Sequence, residues 1–238
     1  MLSSYKKHNY SRIYSPALLI MVKRLLLFLT ILLSVSCAKK QNETNTKVVA
    51  ETKVLLGQND SILVDCHYTF EEAIHGTKAP QSVINQLELI DVRYYSMDGK
   101  IHQGQLLTNK TISAELKEIF DYVLKQRFPV GQAIPIVKYN WDDNLSMKAN
   151  NTYSFCYRDL GFSKHAKGLA VDINPFLNPV RWKKEYSFRK NKPEGATYNP
   201  EAPGTLFPEH PVVLKFKSLG FRWGRYFKRN SDDHHFEK

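Results

Sequence analysis

Hydrophobic positions change period along this chain, and each change marks an element. Leu25 to Leu33 is an apolar run broken only by Thr30. Leu87–Tyr95 (LELIDVRYY) is rich in β-formers and leads into Asp98-Gly99, a dipeptide that favours a hairpin turn. The spacing therefore predicts a return strand over 100–107. Helical periodicity follows: Leu116, Ile119, Phe120, Val123 and Leu124 fall on one face, Ser113 is the expected N-cap, and Pro129 the expected stop. The stretch 133–139 (AIPIVKY) reads as a short strand and 169–173 (LAVDI) as a buried one. A second helix is expected near 211–218, stopped by Gly220. Stretches 140–160 and 175–208 are rich in Asn, Pro and Gly and read as loops. Strands and helices are segregated rather than alternating, and no repeat is visible. The expected class is α+β, a small antiparallel sheet with flanking helices.

The early apolar run is an address rather than a core element. Lys23 and Arg24 precede it, and Ser34 and Ser36 follow, directly before Cys37. It is too short to span a bilayer, which takes about 20 residues, and it has the layout of a secretory signal. A cysteine after small residues resembles the lipobox of bacterial lipoproteins, with Cys37 as the lipidated first mature residue. Ser34 stands where that motif prefers leucine; the other readings are a plain signal peptide and an uncleaved anchor. Met21 would begin a complete signal by itself. The polar stretch after Cys37 has no periodicity and reads as a tether. The expected organisation is a leader over 1–37, a tether over 38–52 and one folded domain over 53–238, with a membrane-anchored lipoprotein facing the periplasm.

Composition narrows the partners. The formal charge is +11, but residues 1–36 hold five basic groups and no acid, leaving 29 basic and 23 acidic residues. That moderate excess suits an anionic surface such as a bacterial wall. No basic helix with interleaved aromatics is present, so nucleic acid is not an expected partner. Cys66 and Cys156 have no metal-ligand spacing and are expected as separate buried thiols, with a disulfide as the alternative.

Two clusters carry candidate chemistry. In Ser163-Lys-His165-Ala-Lys-Gly168-Leu-Ala170-Val-Asp172, a carboxylate lies inside an apolar strand, where it is costly unless paired or metal-bound. Gly168 and Ala170 let backbone approach closely. At the other end of the domain stands Asp232-Asp233-His234-His235-Phe236-Glu237, just after the core-seeking Trp223, Tyr226 and Phe227. His165, Asp172 and one of His234 or His235 make a donor set suited to zinc, with a position left for water. Asp232 stands three residues before His235 and is placed to move a proton.

The segment SKHAKGLAVD resembles the SxHxxGxAxD motif of the VanY-like D-alanyl-D-alanine carboxypeptidase family, which includes D-Ala-D-Ala dipeptidases and phage endolysin peptidases. DDHHF is similar to its DxxHF motif, and the two occur in the family's order. The resemblance implies zinc held by His165, Asp172 and His235, with Asp232 as catalytic acid/base. The segment 142–158 (DDNLSMKANNTYSFCYR) is similar to the Asn-Thr-x-x-Phe-x-Tyr-Arg stretch of one branch, which puts the substrate and transition-state arginine on Arg158. Ser163 and Trp223 are expected at the substrate. The implied fold is hedgehog/D-Ala-D-Ala-peptidase-like, and the resemblance extends over about 87–238.

The implied activity is zinc-dependent hydrolysis of peptide bonds in peptidoglycan stem peptides by a monomer. The alternatives are an L,D- or endopeptidase and a non-catalytic wall-binding lipoprotein. One departure is Trp223-Gly224-Arg225 where the family often has Trp-Gly-Gly, so Arg225 bears on specificity. His234 is expected beside the ligands or facing solvent. Asp142 and Asp143 are expected as capping or turn residues, and His67, His75, His102 and His210 as structural or surface groups.

Overall fold

The computed structural model describes residues 62–158 and 163–238. The leader, the tether, Cys37 and the start of the expected domain to residue 61 lie outside the described residues. No helix among the described residues is long and apolar enough to cross a membrane.

The first half is a hairpin with a helix laid on it. Strand β1 (Leu63–Val64) precedes the short helices α1 (Phe70–Ala73) and α2 (Gln81–Ile84). Strands β2 (Leu87–Tyr95) and β3 (Ile101–Asn109) then pair antiparallel through nine residues, from Leu87 opposite Asn109 to Tyr95 opposite Ile101. Alternation sets the faces: Ile90, Val92 and Tyr94 are buried, while Asp91 and Arg93 point to solvent. The turn uses Gly99 at φ +77° and an Asp98 side chain that accepts from Lys100 N at 3.0 Å. β1 joins the outer edge of β3 in parallel, so this sheet is mixed rather than purely antiparallel.

Helix α3 (Ser113–Lys125) lays its stripe across the hairpin. Leu116, Ile119, Phe120 and Val123 are buried, and Leu124 is half-buried at the rim. Each such side chain removed from water contributes about 1.5–3 kcal/mol. Ser113 is not the N-cap; Ile112 is, and the Ser113 hydroxyl donates instead to Lys110 O at 3.1 Å. Nor does Pro129 stop the helix. The chain leaves it at Gln126, and Arg127 takes φ +51°.

The expected strand over 133–139 is a second correction. Only β4 (Gln132–Ala133) pairs, and Ile136–Tyr139 is a 3₁₀ turn. Pro135 has no N–H for a ladder, and the Asn151 side chain satisfies both Ile134 N and Ile134 O at 2.9 Å. The expected loop after it contains helix α4 (Asp143–Lys148), capped by Asp142, which accepts from Asn144 N and Leu145 N at 2.8 and 3.1 Å. β5 (Asn151–Thr152) pairs with β4.

The second half closes the core. β6 (Ala170–Asp172) pairs antiparallel with the C-terminal strand β10 (His235–Glu237), which also pairs with β8 (Arg222–Trp223). β7 (Val180–Trp182) pairs with β9 (Asn230–Asp232). Helix α5 (Pro211–Ser218) starts with Pro at N1 and the His210 imidazole as cap, and Gly220 follows it at φ +83°. Val212, Val213 and Phe216 of α5 join Val171, Ile173 and Phe236 in the cluster that includes the α3 stripe. The architecture is α+β, with several small sheets sharing that core. Cys66 and Cys156 are free thiols, and burial pushes both up to about 11.

Candidate metal and active centre

β6 and β10 run side by side in a register that sets Asp172 opposite His235. His165 reaches the same point from a 3₁₀ turn, His165–Lys167, which ends at Gly168 with φ +66°. That turn is pressed against β3. Gly168 O accepts from Asn109 N at 3.0 Å and from the Thr108 hydroxyl at 3.1 Å. A Cβ on Gly168 would lie 2.8 Å from Asn109 N and from Leu87 Cδ2, so the motif's glycine is required both by space and by backbone angle.

Three atoms converge. His165 Nε2 lies 3.0 Å from Asp172 Oδ1 and 3.0 Å from His235 Nδ1, and His235 Nδ1 lies 3.0 Å from Asp172 Oδ1. All three residues are buried, and together they form a group able to hold a metal ion. Ligand atoms about 2.0–2.1 Å from a tetrahedral zinc stand about 3.3 Å apart, so the triangle fits such an ion.

The far side of each imidazole is anchored. His165 Nδ1 is 2.6 Å from Ser154 O, a group that only accepts, so Nδ1 carries hydrogen and Nε2 faces the cluster. His235 Nε2 is 3.0 Å from Glu237 Oε2, which leaves Nδ1 facing inward. Glu237 is held in turn by Arg222. Burial opposes ionisation of Asp172, but His165 and His234 beside it hold its pKa well below the usual carboxylate range.

Asp232 ends β9 and is half-buried. His234 Nε2 stands 2.9 Å from Asp232 Oδ1 and 3.5 Å from Asp172 Oδ2, while its Nδ1 meets Asn178 O at 2.7 Å. His234 therefore does not face solvent; it is a buried bridge between the two carboxylates. Burial pushes its pKa down, and Asp232 and Asp172 overcome this to raise it to about 9.

Arg158 joins the centre through Tyr153. The Tyr153 ring stacks on His165 with centroids 5.1 Å apart, and its backbone bridges to Asp172. Arg158 Nη2 donates to Tyr153 Oη at 3.2 Å and to Asp143 Oδ1 at 2.9 Å, and the Tyr153 hydroxyl also donates to Asp143. Arg158 Nε is buried without a partner among the described residues.

The remaining expected site residues separate. Ser163 is half-buried, two positions before His165. Trp223, expected at the substrate, is a correction: it is 2% exposed, stacked 5.9 Å from Phe236, with its indole N–H on Asp233 O. An indole stacked on Phe236 and covered by the Arg225 guanidinium at 5.3 Å presents no face to a ligand. Arg225 is tied down, sharing the buried Asp233 with Arg181 at 2.7 Å each.

Sequence reasoning missed Tyr153, Asp143 and Glu237 as supports. Glu237 was detectable, because two positions along a strand return a side chain to the same face as His235. The Ser154 carbonyl was not, since any residue type supplies one.

No curated protein and no solved structure matches the chain. The model of a D-alanyl-D-alanine carboxypeptidase family matches residues 158–238. That is shorter than the expected 87–238, and it contains His165, Asp172, Asp232, His235 and Arg158. Over residues 158–238, then, the chain is similar to the D-alanyl-D-alanine carboxypeptidase family, and that match supports a peptidase of metalloenzyme type acting on peptidoglycan-like substrates.

Proposed function

We infer that this chain is a zinc-dependent peptidase of the cell envelope that shortens peptidoglycan stem peptides as a D-alanyl-D-alanine carboxypeptidase does. The observation that carries the reading is the convergence of His165 Nε2, Asp172 Oδ1 and His235 Nδ1 on one point, with the Asp232 carboxylate joined to it through His234. Two imidazoles and one carboxylate, with no thiolate, suit a hydrolytic zinc site. A zinc ion bound there supplies Lewis acidity, bringing the pKa of a water to about 7 and polarising a peptide carbonyl.

The chain's own residues do the rest. Asp232 takes the proton as the water oxygen bonds to the carbonyl carbon, and returns it to the amine nitrogen as the C–N bond breaks. His234 keeps the carboxylate aimed by its ion pair at 2.9 Å. The Arg158 guanidinium binds the terminal carboxylate of the substrate or the oxyanion as it forms. Lipid on Cys37 would hold the domain at the membrane, facing the wall.

The test uses the full chain. Bound metal is quantified and purified muropeptides are analysed by mass spectrometry, with His165→Ala and Asp232→Ala alongside. About one zinc per wild-type chain, and a loss of one D-alanine residue that neither variant produces, is the expected result. A different product mass reassigns the bond to an endopeptidase. A chain that takes up no zinc after loading overturns the reading.

A further inference from the structure

Two basic segments meet beside Asp232. Residues 181–192 and 222–229 together hold ten basic residues and one acid, Glu185. The rest of 37–238 holds 19 basic and 22 acidic residues. The positive excess of the mature chain is therefore local, and it is the fold that concentrates it. β7 and β9 pair with Val180 opposite Asp232 and Trp182 opposite Asn230, and Lys183 N continues the contact to Arg229 O at 3.2 Å.

Part of this charge is internally matched. Arg181 and Arg225 share Asp233, Arg222 holds Glu237, and Lys190 pairs with Glu194. Lys183, Lys184, Arg189, Lys192, Lys228 and Arg229 are exposed and form no ion pair among the described residues. Aromatic faces lie among them. Arg189 covers the Trp182 ring at 4.8 Å and the Phe188 ring at 5.7 Å. Phe188 and Tyr226 are 79% and 63% exposed. Alternation along β7 puts Trp182 on the same side of the ribbon as Val180, and hence on the side of Asp232.

We propose that this cationic and aromatic surface is a docking face for polymeric peptidoglycan, engaging the carboxylates of stem peptides next to the one being cut. The inference rests on the peptidase reading for the choice of polymer. Charge complementarity argues for an occupant with repeated anionic groups. Position argues for the substrate polymer: the β7–β9 pairing that carries this charge also carries Asp232, so a polymer held here lies beside the candidate centre.

The test is binding to purified sacculi, read by co-sedimentation in EDTA so that it does not depend on turnover. The full chain carries Cys37→Ser, so no acyl chain contributes. Lys184→Glu/Lys192→Glu and Lys228→Glu/Arg229→Glu are the variants, with Phe188→Ala for the aromatic arm. The expected result is a sacculus Kd raised about tenfold or more by each charge reversal and a wild-type Kd that weakens steeply between low and high salt. Turnover of a free stem pentapeptide by the zinc-loaded protein should change less than about twofold, because these side chains lie outside the centre. Sacculus binding unaffected by reversal overturns the proposal. So does equal loss of binding to anionic phosphatidylglycerol vesicles, which would assign the face to the membrane. A protein that binds sacculi through this face yet cleaves no stem peptide would retain the docking face and overturn the peptidase reading instead.

Discussion

Glu237 Oε2 stands 3.0 Å from His235 Nε2, two positions along the same strand, and Arg222 holds the other carboxylate oxygen. This pair decides which ring nitrogen of His235 faces Asp172. Glu237→Ala should lower zinc affinity about 10–100-fold, the usual cost of losing such an outer partner. Glu237→Gln, which can still accept, should lose less. Competition against a chromophoric chelator measures both, and an unchanged affinity in the alanine variant would remove Glu237 from the metal centre.

Asp143 and Tyr153 hold Arg158 from one side, and Asp142 caps the helix, leaving the Asp143 carboxylate free for the guanidinium. Asp143→Ala should lower kcat/KM about as much as Arg158→Ala, and the double variant should be no worse than either single one, since both remove one unit. Metal content should stay unchanged. Full additivity of the two losses would show that Asp143 acts elsewhere.

Gly168 sits at φ +66°, and a Cβ there would lie 2.8 Å from the backbone nitrogen of Asn109. Gly168→Ala should destabilise the domain by about 1–3 kcal/mol and loosen the turn that carries His165. Thermal unfolding and zinc titration of the same variant should move together. A stable variant with weakened zinc binding would separate the two effects.

His102 lies between Asp65 at 2.7 Å and Asp98 at 3.2 Å, tying β1 to the hairpin. Burial pushes its pKa down, but hydrogen bonds to the two carboxylates outweigh this and raise it above 6.5. A raised folded pKa means the protonated ring stabilises the fold. The contribution is full below about pH 6.5, where the unfolded ring is also charged, and is lost as pH rises through the higher folded value. Urea unfolding at pH 6 and at pH 9 should show this decline in the wild type, and His102→Gln should flatten it. An identical decline in the variant would trace it to other groups.

Much of the core was legible in the chain because its signals are local. The run of β-formers over 87–95 before Asp98-Gly99 and the stripe from Leu116 to Val123 depend on near neighbours, and both form the strand and the helix read from them. Capping was less legible. Ser113 has the right side chain for an N-cap, but the turn from Lys110 places Ile112 there. The stretch 133–139 has strand composition, yet Pro135 and the distant Asn151 side chain take up its hydrogen-bonding groups.

The identities of His165, Asp172, Asp232 and His235 and the order of the two motifs were in the sequence, because residue type and spacing are written there. Their convergence was not. His165 and His235 are 70 positions apart, and only the β6–β10 register sets Asp172 opposite His235 and leaves His234 between the two carboxylates. The same holds for the buried Trp223, for Arg158 braced by Asp143 and Tyr153, and for the two basic segments joined by β7 and β9. Composition specifies which groups a chain possesses. Packing long-range neighbours to one register decides which of them share a buried site, and there their charges and ring nitrogens acquire a direction.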